Sequence, residues 1–377
     1  MIFILIFCAT SFLDEDVSLT DILKTDRNTK QNDSKEANKN DYQQKLIKKK
    51  AKNEILYRPD GSFDLIFTAV GDILVGSDPR LKGEGLFENE MQKRRAEDCS
   101  FVFSNVVDIF ESDHLTIANL DSTISDRNFS IDKDSYCYKT GEEFSKFIKD
   151  SSIEVVTLAN NNSLDFGSQG LNDTMTALNK NGVLYAKDDI VARYEINNTK
   201  ISVLAFNAVD ENEDVVKRAQ NEIIREKSNA DIVIVSFHWG IENDYVPNDF
   251  QKKLAHACVD AGANLVLGHN SKRINPIEKY KNSYIVYSLG NFSYAGDKKP
   301  SDMSSFIFQV KFNIKDGSAT SDSFRIIPIR ISSSTGYNDF VPSPYADSKN
   351  INNVIFLLKQ NGKYVENAVE NYPIDWE

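Results

Sequence analysis

The chain has 377 residues, with 44 basic and 56 acidic side chains and a formal net charge of −12. Apolar residues make up 41% of the sequence, which is typical of a globular protein, and the length suffices for one large domain or two ordinary ones. The acidic balance argues against sequence-independent binding to nucleic acid, because neutralising phosphates requires a basic face. The sequence contains no Walker phosphate loop and no Rossmann fingerprint, which argues against nucleotide-driven chemistry of those two kinds.

The first residues form a short apolar run, MIFILIFCAT at 1–10. The run is too short to span a bilayer, which takes about 20 residues. It has the length of a secretory signal core, and Ala9 and Ser11 offer a small-x-small cleavage pattern. No Lys or Arg precedes the run, so a start within a longer signal, or a buried N-terminal strand, stays an alternative. We interpret 1–13 as a signal-like segment and expect the protein to be secreted or held at the cell surface.

Residues 14–60 are polar and rich in Asn, Lys, Asp and Gln. Such a segment cannot bury enough apolar surface to offset the entropy lost on ordering. The composition therefore predicts a disordered linker between the signal-like segment and a folded domain at 61–377. The lysine cluster at 45–52 could touch anionic lipid and attach the protein at a membrane surface, although a solvated linker is the simpler interpretation.

Beyond the linker, short β-rich runs alternate with helix-length segments, which indicates an α/β domain with a largely buried sheet. The helix-length segments include 167–180 and 248–261, and the second one stops before Gly262, a common C-terminal stop. A C-terminal helix is expected around 352–359. Because the last three β-rich runs lie close together, we expect them to be antiparallel strands. The candidate strands are 63–70, 114–120, 154–159, 201–207, 231–237, 263–267, 284–289, 306–312 and 324–331.

Polar side chains directly follow five of the predicted strands. They are Asp72, Asp121, the asparagines at 160–162, His238 and His269. In open α/β sheets, ligands bind outside the carboxyl ends of the strands, so these side chains could converge on one point. Carboxylate and amide oxygens together with imidazole nitrogens suit Mn, Mg, Zn or Fe. The ordered series, rather than any single motif, therefore predicts a divalent-metal site.

Five sequence blocks keep their order and spacing between about 63 and 292. They are GDILVG, ANLDSTIS, LANNNSLDFGSQGLNDTMTAL, HWGIENDYVPNDFQKKLAHACVDAGANLVLGHN and IEKYKNSYIVYSLGNF. Together they resemble the bacterial capsule-synthesis family, the CapA and PgsA type of poly-γ-glutamate capsule production, which is related to the calcineurin-like metallophosphoesterases. The resemblance implies a four-layer α/β/β/α sandwich of the metallophosphoesterase type, with a two-metal site between the strand ends.

Carried over residue by residue, the resemblance also implies roles for individual side chains. The implied metal ligands are Asp72, Asp121, Asn161, His238 and His269. The implied catalytic residues are Asn161, Asn162 and His238. The implied substrate-binding residues are Asn160, Asn270, Lys272 and Arg273. Asp121 stands where the family usually has a glutamate, so a carboxylate is kept with a shorter reach.

Three histidine positions of the family pattern are occupied by other residues. Asn162 replaces the histidine that is expected to protonate or steady the leaving group, and general acid catalysis is typically worth about 10²–10⁴-fold in rate. Asn270 and Lys272 replace two histidines of a Gly-His-His-Pro-His block. An ammonium group at 272 cannot ligate a divalent cation at neutral pH and would repel it. Whether the protein is an enzyme therefore stays open at the level of the sequence.

Lys272 is the replacement that introduces a positive charge. Without metal, Asp72 and Asp121 would be two like charges facing each other, and something must neutralise them. One hypothesis is that the Lys272 ammonium approaches the vacated metal position and pairs with Asp72 or Asp121. The alternative is that Lys272 and Arg273 point to solvent as an ordinary basic loop.

Three functions compete. The first is an active metal-dependent hydrolase of a phosphoester or of a polyglutamate-type amide bond. The second is a catalytically inactive family member, a pseudoenzyme, that uses the cleft to bind an anionic cell-envelope polymer or an envelope-biosynthesis protein. The third is a purely structural protein. The three substitutions favour the second function over the first, and the third has the least support.

Overall fold

The computed structural model describes residues 54–81, 85–95, 99–129 and 135–376. The predicted signal-like segment and most of the predicted linker lie outside these residues. From Ile55 onward the chain forms one compact unit. Ile55 packs against the apolar core, and the Tyr57 hydroxyl lies 3.0 Å from Asn197 Oδ1, so contacts of the domain extend back to Ile55. Within the described residues, no helix is both long and apolar enough to cross a membrane.

Strands and helices alternate along most of the domain. The strands in the described part of the chain are β1 (Phe63–Leu74), β2 (Leu115–Leu120), β3 (Thr123–Ile124), β4 (Lys139–Thr140), β5 (Val155–Thr157), β6 (Leu184–Ala186), β7 (Ala192–Ile196), β8 (Thr199–Ala208), β9 (Ile232–Trp239), β10 (Leu265–His269), β11 (Ile277–Tyr280), β12 (Ser283–Val286), β13 (Asn291–Tyr294), β14 (Ser304–Lys315), β15 (Ser318–Arg330) and β16 (Ser343–Pro344). The α-helices there are α1 (Leu86–Arg94), α2 (Val107–Phe110), α3 (Phe144–Asp150), α4 (Gly167–Lys180), α5 (Glu213–Lys227), α6 (Asp249–Ala261) and α7 (Ser348–Gly362).

Two mixed β-sheets form the centre of the fold. In the first sheet the strand order is β16-β15-β14-β1-β2-β5-β6, and β13 also pairs with β1. In the second sheet the order is β11-β12-β10-β9-β8-β7. Parallel pairing joins β1, β2, β5 and β6 in the first sheet. It also joins β8, β9, β10 and β12 in the second sheet. Each sheet therefore has a parallel part whose carboxyl ends lie at one edge.

Apolar side chains on both faces of each sheet build four layers. In β8, for example, Ile201 and Val203 belong to the cluster between the two sheets, whereas Leu204 and Phe206 belong to a cluster that also contains residues of α5 and α6. This alternation follows from the two-residue period of a strand. A third cluster joins the outer face of the first sheet to helices that include α3 and α4. The domain is a four-layer α/β/β/α sandwich, as the family resemblance implied.

Each of the nine predicted strands corresponds to a strand of the structure, and the predicted helix at 167–180 has the bounds of α4. Helix α6 begins after the capping residue Asn248 and ends before Gly262, which has the left-handed φ of 114°. The expectation of three antiparallel strands at the end was wrong for the run at 284–289. Its strand, β12, pairs parallel with β10 in the second sheet, whereas β14 and β15 pair antiparallel in the first.

The reason for this error is a crossover between the sheets. Strand β12 forms a tight hairpin with β11, which the sequence pattern did not reveal because β11 has only four residues. Directly after β12 the chain passes to the first sheet, where β13 pairs parallel with β1. Closeness in sequence therefore did not mean membership of one sheet.

Candidate functional site

Asp72 lies near the carboxyl end of β1, where this strand closely approaches the backbone of Gly290 just before β13. The pairing of β1 with β2 shifts register between Val70 and Asp72, so Gly71 is the extra residue of an irregularity. A Cβ atom on Gly71 would lie 1.9 Å from the backbone oxygen of Gly290, which only a glycine avoids. The Asp72 amide donates to that same oxygen at 3.0 Å. This packing fixes the Asp72 carboxylate between the two sheets.

The Asp72 carboxylate contacts residues from both sheets. Its Oδ1 accepts a hydrogen bond from Asn119 Nδ2 at 2.9 Å, and its Oδ2 accepts one from the Asn270 amide at 3.3 Å. His269 Nδ1 lies 3.1 Å from Oδ1, although it is not aligned for a hydrogen bond. Burial alone would raise the pKa of Asp72, but the contact with His269, the electrostatic effect of the two neighbouring imidazoles and the hydrogen bond from Asn119 outweigh burial and lower it. Asp72 is therefore the anionic member of the centre.

Asn119, which the sequence did not single out as a site residue, connects the strand ends. Its Nδ2 donates to Asp72 and lies 3.5 Å from His238 Nδ1. Its Oδ1 accepts hydrogen bonds from Thr157 Oγ1 at 3.0 Å and from Asn160 Nδ2 at 3.1 Å. The signal that could have revealed it is an amide within a fully buried strand, since such a group needs partners.

The two histidines lie side by side at the ends of β9 and β10, where His238 pairs with His269 in register. Both are buried. Burial, opposed by the charge of Asp72, lowers the pKa of His238 to about 4. His238 is consequently a neutral imidazole at neutral pH, and its buried Nε2 has no hydrogen-bond partner.

Asp121 follows β2 and is only 4% exposed. Its Oδ1 is buried and has no hydrogen-bond partner. Burial, and next the charge of Asp72, raise the pKa of Asp121 well above its usual value, while Asn162 and Lys272 act in the opposite direction. The two carboxylates thus differ: Asp72 is held as an anion and Asp121 is driven towards its neutral acid.

Asn160 uses both ends of its side-chain amide within the protein. Its Nδ2 donates to Asn119 Oδ1 and to the Leu120 backbone oxygen, at 3.1 and 2.8 Å. Its Oδ1 accepts from the Ser163 amide at 2.9 Å. These contacts join the loop after β5 to the end of β2, so Asn160 holds the loop that carries the next two asparagines.

Asn161 and Asn162 differ in position although they are adjacent. Asn161 is exposed and precedes a short 3-10 turn without a side-chain cap. Asn162 is half-buried, and its side-chain hydrogen bond lowers the pKa of Asp121. The structure therefore brings Asn162 to the centre and leaves the Asn161 side chain exposed.

The loop after β10 carries Asn270 and Lys272, two of the residues that replace family histidines. Asn270 is buried and its Nδ2 donates to the backbone oxygens of Trp239 and Gly240, at 3.0 and 2.8 Å. These bonds tie the loop after β10 to the loop after β9. The side-chain Nδ2 of Asn270 thus donates to backbone oxygens, while the main-chain N–H of Asn270 donates to Asp72 Oδ2.

Lys272 and Arg273 do not form the solvent-facing basic loop that the sequence offered as an alternative. Lys272 Nζ lies 2.8 Å from Glu242 Oε2, and the Lys272 side chain is 27% exposed. This ion pair with Glu242 replaces the predicted pairing with Asp72 or Asp121, although the Lys272 charge still lowers the pKa of Asp121. Arg273 is buried, and its Nη2 donates to Ser301 Oγ at 2.8 Å.

The residues present do not fit a two-metal centre. In the part of the chain that the structure describes, no three His, Cys, Asp or Glu side chains are grouped so that they could hold a metal ion. The Lys272 ammonium, whose charge acts on the pKa of Asp121, would repel a divalent cation at this place. Three buried atoms of the centre nevertheless remain without a hydrogen-bond partner, which is unusual for buried polar groups. They are Asp121 Oδ1, His238 Nε2 and His269 Nδ1.

The fold and this centre define a class of protein: an α/β/β/α sandwich with a buried polar centre at the strand ends of both sheets. A family model described as "Bacterial capsule synthesis protein PGA_cap" matches residues 66–295. The chain belongs to this bacterial capsule-synthesis family, and the family prediction from the five sequence blocks is confirmed.

Two relatives with named roles in capsule synthesis agree with this assignment. The chain is 30% identical over 288 residues to "PGA biosynthesis protein CapA" of Bacillus subtilis (strain 168), covering 71% of this chain and 71% of the relative. It is 28% identical over 295 residues to "Capsule biosynthesis protein CapA" of Bacillus anthracis, covering 71% and 67%. The solved structure of the calcineurin-like phosphoesterase YfkN from Bacillus subtilis is similar over 80% of this chain and 98% of that chain, with 13% sequence identity and a TM-score of 0.40.

Proposed function

We propose that this protein acts in capsule synthesis as a binding protein for an anionic cell-envelope polymer, and that its strand-end centre no longer performs two-metal hydrolysis. The role in capsule synthesis is supported by the family and by two relatives whose names describe PGA or capsule biosynthesis. The same proposal places the protein outside the membrane, in contact with the polymer or with the proteins that make it.

The observation that carries the proposal is the replacement of imidazole by other groups on the loops of the centre. The Lys272 ammonium stands on the loop where a divalent cation would need an imidazole, and it pairs with Glu242. A lysine there repels a metal ion and attracts a carboxylate or phosphate. Asn162 contacts Asp121 with an amide, which does not transfer a proton as an imidazole does.

A second candidate function is a hydrolase that uses a single metal ion. It is favoured by the buried Asp121 Oδ1 and His238 Nε2, both of which lack partners. A carboxylate oxygen and an imidazole nitrogen are donors that Mn, Fe or Zn accept. A single ion near these atoms would also remove the repulsion between Asp72 and Asp121.

Elemental analysis of the purified full chain separates the two functions. We expect well below one equivalent of Mn, Fe or Zn per chain, no hydrolysis of bis(p-nitrophenyl) phosphate with added Mn²⁺, and co-sedimentation with soluble poly-γ-glutamate in the presence of EDTA. One tightly held metal equivalent together with Mn-dependent hydrolysis would favour the hydrolase. Failure to bind the polymer with EDTA present would contradict the binding function.

A variant sharpens this test. Lys272→His restores an imidazole at the centre and should raise Mn²⁺ or Zn²⁺ affinity by about tenfold or more, because a repelling charge is exchanged for a donor. Lys281→His is a matched control, since Lys281 also has a positive φ (52°, against 58° for Lys272) and an ion pair, with Asp260. Equal metal affinity of both variants would mean that position 272 does not control metal binding.

A further inference from the structure

A cavity lies at the end of the domain opposite the strand-end centre. Its volume is about 580 Å³, which is within the roughly 300–1,000 Å³ of small-molecule sites. Asp322 of β15 lines it, and the neighbouring Ser321 pairs with Phe312 of β14. Phe312 pairs in turn with Leu65, near the start of β1. Asp72 follows Leu65 by seven residues on β1, so at about 3.3 Å per residue the cavity lies on the order of 20 Å from the centre.

Aromatic side chains form one wall of this cavity. Tyr284, Phe324 and Tyr372 line it and continue the apolar core between the two sheets. The Phe324 ring centroid lies 5.0 Å from that of Tyr284 and 6.3 Å from that of Tyr372. The half-buried Trp376 completes the wall. A ligand that enters the cavity therefore meets aromatic surface.

Two cations of the first sheet hold the Trp376 ring in place. Lys311 Nζ lies 4.6 Å and Arg325 Cζ lies 5.0 Å from the centroid of this ring, and both distances are within the range of about 6 Å for cation–π contacts. Arg325 is itself fixed, because its Nε donates to Gln309 Oε1 at 2.7 Å. The indole is therefore a positioned platform rather than a freely rotating surface side chain.

Hydrogen bonds of the main chain position the segment that carries Trp376. The Ile326 amide donates to the Pro373 backbone oxygen at 2.8 Å, which places this segment beside β15. The Ile277 amide donates to Tyr372 Oη at 3.3 Å, which joins the same segment to β11 of the second sheet. Strands of both sheets therefore determine where the aromatic wall stands.

Exposed polar side chains line the cavity beside this wall. Four of them form no hydrogen bond or ion pair within the part of the chain that the structure describes, namely Asp322, Lys359, Asn371 and Asp375. Asp322 is the extra residue of a β-bulge, since Ser321 and Ser323 pair with consecutive residues of β14, and a bulge redirects side chains. Lys359 stands one helical turn after Ile355 on α7, and both line the cavity. These polar groups are accessible to a ligand from solvent.

The charges around the cavity are mixed in sign. Burial lowers the pKa of Lys279 to about 8, and the charge of Asp322 opposes this shift. Burial also lowers the pKa of Arg325, and the charge of Asp375 opposes that shift. Each carboxylate therefore stands near a cation, and Lys359 adds a third positive charge. A ligand of either net charge would meet repulsion as well as attraction here, which a neutral ligand avoids.

We propose that this cavity binds a neutral sugar, with a pyranose ring stacked on the Trp376 indole. The C–H face of the ring packs on the aromatic wall, because both surfaces are apolar. The sugar hydroxyls donate to Asp322 and Asp375 and accept from Lys359 and Asn371, since each hydroxyl is both a donor and an acceptor. This site goes beyond the proposed binding of an anionic polymer, because it recognises uncharged rings at a place remote from the strand-end centre.

Tryptophan fluorescence of the full chain reports this binding. The chain has two tryptophans, and Trp239 is fully buried, so a change on titration reports on Trp376. Cellobiose, maltose and N,N′-diacetylchitobiose are the probes, and at least one of them should give a saturable change. Glycerol, which has hydroxyls but no ring face, should give none. No saturable change with any of the disaccharides, or a saturable change of equal affinity with glycerol, would overturn the proposal.

A simple organic cation tests whether the aromatic wall serves a different ligand. Tetramethylammonium has no hydroxyls, and aromatic cages bind such ions through cation–π contacts. It should bind at least about tenfold more weakly than the best disaccharide, because Lys359 and Arg325 repel it. Equal or tighter binding of tetramethylammonium would identify a cation site and overturn the proposal.

The matching tetrasaccharide of the best disaccharide separates two sources of the sugar. Tighter binding of the tetrasaccharide would support the site as one for a glycan chain. Equal affinity would support it as one for a free or terminal sugar.

Matched variants locate the sugar. By calorimetry, Trp376→Ala should weaken binding of the best disaccharide about tenfold or more, and Asp322→Ala should weaken it about threefold, because the platform and one acceptor are removed in turn. Ile374→Ala removes an exposed side chain of the same segment that does not line the cavity, so it should change affinity by less than about twofold. Unchanged affinity in Trp376→Ala, or in Asp322→Ala if the first variant unfolds, would overturn the assignment.

Discussion

Two buried carboxylates of the same domain, Asp339 and Asp121, have opposite surroundings. Asp339 is 1% exposed and accepts hydrogen bonds from Ser332 Oγ at 2.9 Å and the Ser333 amide at 2.8 Å, and it also pairs with Arg94. Burial would raise the pKa of Asp339, but the bonds from Ser333 and Ser332 outweigh burial and lower it. Asp121 is almost as buried, yet one of its oxygens has no partner and its pKa is raised.

The difference shows that the fold supplies hydrogen-bond donors to one buried carboxylate and not fully to the other. A carboxylate that supports the structure receives donors on several sides, and its charge is stable inside the protein. At the strand-end centre one oxygen of Asp121 has no donor. The fold therefore tolerates there the free-energy cost of an unpaired buried oxygen, which it avoids at Asp339. Such a cost is typical of a site kept for a ligand rather than for stability.

The largest effect is expected for Asp339→Ala. The substitution leaves Arg94 paired only with Glu90. It also removes the acceptor of the Ser333 amide, the Ser333 hydroxyl and the Val341 amide. These losses should lower the free energy of unfolding by about 2–4 kcal/mol. Chemical denaturation measures this loss. Asp189→Ala, at an exposed carboxylate, is the control and should cost less than about 0.5 kcal/mol. A loss below about 1 kcal/mol for Asp339→Ala would remove the contrast between the two carboxylates.

Asp121→Asn should act in the opposite direction. It removes a buried charge that is repelled by Asp72, so the free energy of unfolding at pH 8 should rise by about 1–2 kcal/mol. Because the pKa of Asp121 is raised in the folded protein, the folded state holds this proton more tightly than the unfolded chain does. The contribution of Asp121 to stability is therefore greatest at low pH and is lost as pH rises from about 4 through the raised pKa.

Denaturation series between pH 4 and pH 8 check this sign. The difference in stability between Asp121→Asn and the parent should grow with pH across the interval, since only the parent must ionise the buried carboxyl. A variant that is less stable than the parent at pH 8 would show that the ionised Asp121 is well accommodated, as Asp339 is.

The smallest effect is expected where a carboxylate is exposed. Lys146 and Asp150 form an ion pair of 2.9 Å one helical turn apart, with side chains that are 60% and 49% exposed. Lys146→Ala should cost only about 0.3–0.5 kcal/mol, and the cost should fall further at 1 M salt because solvent ions screen the pair. A loss above about 1 kcal/mol would mean that solvent exposure does not decide how much a carboxylate contributes to stability in this domain.

The sequence predicted most of the layered fold because the period of the apolar residues is local information. Strands such as β8 and β9 are long, β-branched and buried, and helix α6 carries its own stop signals. The short strands β6, β11 and β13 escaped prediction because three or four residues give no period. Sheet membership of β12 escaped it because pairing with β10 is decided by the whole fold.

The residues at the strand ends of the site were predictable from the sequence, whereas the contacts between its loops were not. Strand-end logic brought together Asp72, Asp121, His238 and His269, all of which lie at the ends of parallel strands in the structure. The partner of Lys272 was not predictable, because Glu242 lies on a different loop and meets Lys272 only through the approach of β9 and β10. Loop geometry, rather than residue type, decided where that charge is placed.

The place of β1 in the first sheet also governs how the protein is made. Strand β1 is an early part of the domain, yet its partner β14 comes late: Gln309 Nε2 donates to Thr68 Oγ1 across 241 residues of chain. At translation rates of about 5–20 residues per second, β1 waits on the order of 10–50 s for that partner. During this interval one edge of an apolar strand is unpaired, and such edges recruit other chains. Until β14 has been synthesised, this edge of β1 therefore has no partner within its own chain, and the first sheet cannot be completed.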